Sequence, residues 1–176
     1  MAETVYCLNW SFKLGKANRP MTAATARKRY EDSGERFTAV VPTGAFRGSG
    51  AGREPVILTF HWKIGYAAAE FMDHCGRRTV KHVFRRCGDD LFLRSVWVHT
   101  YPDDDPRSSP GDASVIESYS YARPDLLTHI VRDKTAGETV TTRYDSVDLT
   151  PNRDTVPAFG DWARIAAYER PMRSGS

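Results

Sequence analysis

From Val56 onward, apolar residues recur at every second position in one short segment after another, with turn-forming residues between the segments. A period of two is the mark of a strand with one buried face, and no helix produces it. "VILTFHWKI" sets Leu58, Phe60, Trp62 and Ile64 against Thr59, His61 and Lys63. "TVKHVFRR", "CGDD" and "LFLRSVWVHTY" read as strand, turn and strand, with Gly88 and two aspartates supplying the turn chemistry. "SVIESYSYA" and "LLTHIVRD" flank the turn signal "RPD", and "KTAGE" leads on to "TVTTRYDSVDL". "YAAAEFMD" reads as a strand of small residues, with a short helix as the alternative.

The N-terminal third is less regular. "TVYCLNWSFKL" alternates Tyr6, Leu8, Trp10 and Phe12 with Val5, Cys7, Asn9 and Ser11, as a strand or extended arm would. "RPMTAATARKRYEDSGE" holds a proline, a capping Thr22, helix formers and a terminating Gly34. Its apolar side chains are few and small, so this helix is expected to lie over an edge or opening rather than to build the core. After the short strand "FTAVV", the glycine-rich stretch from Pro42 to Pro55 reads as a long loop, a lid with Phe46 as its plug. The C-terminal "WARIAAYER" reads as a last strand or short helix.

These segments predict a mainly β protein: one domain spanning residues 1–176, a single antiparallel up-and-down β-barrel of about eight or nine strands with one short N-terminal helix. Closure of the meander would remove its edges. A chain of 176 residues is long enough to bury such a core. A formal charge of +3 is too mild to indicate a nucleic-acid protein. The basic run "HCGRRTVKHVFRRC" is offset by "YPDDDP" and reads as a solvated strand face. Cys7, Cys75 and Cys87 are odd in number, widely spaced and without a CxxC pair, which argues against a disulfide framework or structural zinc and for a reduced, cytoplasmic setting. The N-terminus does not read as a signal peptide, and no run approaches the roughly 18 apolar residues that span a bilayer. The expectation is therefore no membrane and no nucleic acid as partner, with a homodimer compatible with the sequence.

Function turns on which faces point inward. Unpaired arginines are costly inside a small barrel, so Arg85 and Arg94 assign their faces to the outside. Strict alternation then turns Trp97, His99 and Tyr101 inward, together with His82 and Phe84, with Glu117, Tyr119 and Tyr121, and with His129. An apolar floor with a few convergent polar groups is the pattern of a small-molecule site. Its ligand-binding candidates are Trp97, Tyr101, Tyr121, His82, Phe84, His129, Trp62 and Phe46. Glu117, His99 and Tyr119 are the catalytic candidates, because a carboxyl group raised by burial beside a His or Tyr can hold and relay a proton. The other reading is a barrel plugged by hydrogen-bonded histidines and tyrosines. His82, His99 and His129 could converge on a metal, but hydrogen-bonded histidines are the commoner outcome, and neither metal nor cofactor is expected.

The Trp-bearing N-terminal segment, the sequential meander, the glycine-rich loop and the aromatic interior resemble the lipocalin-like, or calycin, barrels. That resemblance implies a carrier of hydrophobic ligands or, in bacterial biosynthesis, a cyclase or isomerase that folds a flexible substrate. An Arg-, Ala-, Asp- and Gly-rich composition of the kind GC-rich bacterial genomes encode suits the second role. The expected function is binding of a mostly apolar small molecule inside the barrel, with cofactor-independent cyclisation or isomerisation. The alternative is a non-catalytic carrier, binding or immunity-type protein.

Overall fold

The computed structural model describes residues 3–42, 54–123 and 125–169. The glycine-rich stretch read as a lid, Phe46 included, lies almost entirely outside them.

Eleven strands form one antiparallel sheet: β1 (Val5–Ser11), β2 (Lys16–Met21), β3 (Phe37–Val41), β4 (Val56–His61), β5 (Tyr66–Met72), β6 (Arg78–Cys87), β7 (Asp90–Thr100), β8 (Val115–Arg123), β9 (Leu126–Asp133), β10 (Glu138–Tyr144) and β11 (Arg153–Thr155). From β3 to β10 each strand pairs with the next in sequence, as the turn signals require. β1 pairs β3, β2 hangs on β1, and β11 adds to the start of β7.

The expected closed barrel of eight or nine strands is corrected on two points: the strands among the described residues number eleven, and their sheet runs open from β10 to β2. Closure is one way to manage edges, and polar or irregular edge strands are another. β2 (KANRPM) holds Pro20 and a left-handed Arg19, and β10 (ETVTTRY) is mostly exposed and polar.

One face of the sheet, hereafter the inner face, is covered locally. Phe37, Leu58, Phe60, Ala67, Ala69, Phe71, Val80 and Phe84 pack there against the buried Trp162, Ile165 and Ala166 of the C-terminal segment. That segment forms turns, in place of the expected strand or helix. The helix α1 (Ala23–Lys28) begins where Thr22 accepts from the amide of Thr25, and its extension ends at Gly34 with φ 63°. It does build the core, contrary to expectation. Tyr30 meets the rings of Phe37, Phe60, Trp62, Phe159 and Trp162 edge-on and donates to the Pro157 carbonyl at 2.6 Å. A smaller cluster on the other, outer face packs Trp10 and Phe12 against Cys7, Val40, Ile57 and Met72.

The faces of β7 depart from strict alternation. Leu93 pairs with Phe84 and Ser95 with Val83, so Arg94 is an extra residue in the ladder. Such a bulge inverts the pattern beyond it. Leu91, Leu93 and Val96 are all in the inner core, and Trp97 and His99 therefore stand on the outer face, opposite to expectation. No helix among the described residues is long and apolar enough to cross a membrane.

Candidate functional site

The inversion at Arg94 divides the expected constellation between two faces. On the inner face, Glu117 and Tyr119 are two apart on β8, and the β8–β9 register sets His129 directly across from Tyr119. One oxygen of Glu117, Oε2, accepts from the Tyr119 hydroxyl at 2.9 Å and meets His129 Nε2 at 3.2 Å. The Tyr119 and His129 rings stack 4.2 Å apart at 9°. The Glu117 side chain is 32% exposed and that of His129 20%, so the group is held in place yet reachable. The cross-strand partners of Glu117 are Val98 and Val131, and β10 continues this face with the exposed Val140 and Tyr144.

A carboxylate bound to Nε2 fixes the tautomer and plane of an imidazole and leaves Nδ1 with the lone pair. Such a pair can serve as the base and orienter of an acid/base reaction, and the Tyr119 hydroxyl adds a second exchangeable proton on the same carboxylate.

The other inner-face candidates have structural roles. His82 and Phe84 are buried, and His82 lies edge-on to Phe71 at 5.0 Å. Tyr121 packs with Leu127 and Leu149. Trp62 follows the end of β4 in a 3-10 turn and belongs to the aromatic cluster around Tyr30. Tyr101, just beyond the end of β7, does not join the inner-face group as expected: it donates to the Arg78 carbonyl at 2.8 Å, and its ring lies under the Arg77 guanidinium at 4.3 Å.

On the outer face, β5 to β9 and the Pro110–Asp112 turn enclose a groove of about 640 Å³. Trp97 and His99 line it with Arg78, Lys81, Arg94 and Arg132. The sequence places Arg78 and Lys81 in a basic run that reads as a solvated strand face, and Arg94 on the outside, with no separate signal at Arg132. Periodicity alone does not group them: Arg78 and Lys81 are three apart on β6, with a ladder irregularity opposite Phe71 and Met72 between them, and Arg94 is itself the extra residue of β7. Glu70, buried between β4 and β6, bonds Arg78 at 2.6 Å and Lys81 at 3.3 Å through the same oxygen. The His99 pKa is lowered from 6.5, first by burial and then by the charge of Arg78.

A third group, His74, Cys75 and Asp104, holds three ligand-type atoms within 4.8 Å of one another in loops beside Arg77. His74 and Asp104 are exposed, and their loops are already drawn together by Arg77, which bonds Asp73 and the Asp103 carbonyl. Comparison with family models, with curated proteins and with solved structures finds no match to this chain.

Proposed function

We propose that the protein binds a small, mostly apolar carbonyl compound on the inner face of β7–β10 and isomerises or cyclises it by proton transfer. The observation that carries this reading is the single Glu117 oxygen shared by Tyr119 and His129. His129, oriented by Glu117, takes a proton from the carbon next to the carbonyl at Nδ1 and returns it at the new position, while the Tyr119 hydroxyl turns its one proton from Glu117 to the carbonyl oxygen as that oxygen gains charge. Every atom and electron pair stays within the substrate and these side chains. Val98, Val131, Val140 and Tyr144 supply the apolar surface, and the half-open geometry admits a molecule where a packed barrel interior would not.

The test begins with native mass spectrometry of the purified protein to identify a copurifying molecule, followed by incubation of that molecule in deuterated water. Deuterium incorporation or ring closure is expected. Glu117→Gln and His129→Gln should each slow it by about 100-fold or more while affinity is retained. A molecule returned unchanged and unlabelled by the parent protein makes it a carrier, and parental rates in both variants remove this site from the chemistry.

A further inference from the structure

The outer-face groove holds two buried polar atoms that the protein leaves unsatisfied. His99 is 6% exposed, and its Nδ1 has no hydrogen-bond partner among the described residues. Arg78 Nε, on the neighbouring strand, is likewise buried and unpartnered. A buried donor or acceptor is ordinarily paired, and here two unpaired ones line a groove that a ligand can reach. Both residues line the same space.

The charges of the lining are also unbalanced. Arg94 and Arg132 are exposed and form no ion pair with any described residue. Arg78 and Lys81 share one carboxylate, that of Glu70. Four cations thus face one anion. Trp97 lies across the ladder from Lys81 on one side and Ser118 on the other, and its ring stacks on nothing described. The bulge is what brings Arg94 here, since it adds a residue to β7 at the groove.

We propose that this groove binds a small nucleoside phosphate, with its phosphates on Arg78, Lys81, Arg94 and Arg132, its base on Trp97, and a sugar hydroxyl on His99. Guanidinium groups pair phosphate oxygens through parallel N–H bonds, and Arg78 Nε supplies a donor that is already desolvated. An indole face stacks any planar base. In the tautomer that donates to the Thr79 carbonyl, His99 Nδ1 is an acceptor, which suits a hydroxyl. The groove is open, and its volume of about 640 Å³ is large enough to seat such a ligand. The groove lies on the opposite face of the sheet from Glu117, so this inference stands independently of the proposed acid/base chemistry.

The experiment is titration with ADP, inorganic pyrophosphate and adenosine, followed by calorimetry and by tryptophan fluorescence. ADP should bind saturably and quench emission, pyrophosphate should bind more weakly, and adenosine more weakly still. Arg94→Ala combined with Arg132→Ala alters only exposed side chains and should weaken ADP binding about tenfold or more. Trp97→Phe should abolish the quenching while leaving pyrophosphate affinity unchanged. No saturation by ADP at concentrations on the order of 10 mM overturns the proposal, as does ADP affinity unchanged in the double arginine variant. Equal affinity for ADP and pyrophosphate overturns the base-stacking part. Binding of a single-stranded oligonucleotide without binding of ADP replaces the proposed ligand by a nucleic acid.

Discussion

Leu93 and Val96, three residues apart on one strand, point to the same face of the sheet. Regular alternation would oppose them, and the extra Arg94 reconciles them. Deleting Arg94 makes Leu93, Ser95, Val96 and Trp97 alternate without interruption and leaves the pairing of Ser95–Thr100 with β8 intact. The deletion variant should therefore fold, with a stability loss of about 1–2 kcal/mol by urea denaturation. Deleting Trp97 instead reverses the faces of Val98 and His99 and should abolish cooperative unfolding. A folded Trp97 deletion beside an unfolded Arg94 deletion would place the irregularity elsewhere.

Arg77 ties two loops together, the β5–β6 loop that carries it and the β7–β8 loop. Its side chain is 4% exposed, pairs with Asp73 at 2.7 Å, donates to the Asp103 carbonyl and covers the Tyr101 ring. Arg77→Met should cost about 3 kcal/mol, because it leaves Asp73 without its partner. Burial alone would raise the Asp73 pKa, but the hydrogen bonds and charge of Arg77 outweigh it and hold it below 3.8. Stability from this pair is thus fully present above that value and is lost as pH falls through the lower folded one. Urea midpoints from pH 7 down to pH 2 should converge for the parent and Arg77→Met at the acid end, and a constant gap would contradict the linkage.

His99 carries the opposite kind of linkage. Burial, then Arg78 and more weakly Lys81, depress its pKa, while the Thr79 carbonyl and the Glu70 carboxylate oppose them. Of the other groove cations, Arg94 is on its own strand and Arg132 on β9. An unfolded histidine binds its proton near 6.5, so stability should decline as pH falls below that value and level off beneath the folded pKa. His99→Gln should flatten the melting temperature between pH 7 and pH 5. An unchanged slope would assign that pH dependence to another group.

Trp162 is 2% exposed and lies 4.8 Å from Phe60 and 5.5 Å from Tyr30. Trp162→Ala should cost about 3–5 kcal/mol through the cavity it opens. Its Nε1 has no partner among the described residues, so Trp162→Phe should lose much less, about 1 kcal/mol. Equal losses in the two variants would mean the indole nitrogen matters and the ring volume does not.

By itself the sequence determined the central strands, the helix and their order, though not β2, β11 or the turns of the C-terminal segment. Alternation marked β4, β6, β7, β8 and β9, "CGDD" and "KTAGE" marked hairpins, and Thr22 and Gly34 marked the ends of the one helix with its extension. Those signals are local: each depends on the backbone preferences and solvation of a few neighbouring residues. The nearness of Glu117 and Tyr119 was legible in the same way, being two apart on one strand. Only the tertiary structure decided that His129 completes their group, that Trp97 and His99 face the cations instead, and that the sheet stays open. Each of these depends on pairing between distant segments. The bulge at Arg94 exists only against β6, and the inner face is filled by residues more than a hundred positions away from β3 and β4. Alternation specifies that a strand has two faces, whereas the register and the packing partner select which of them is buried.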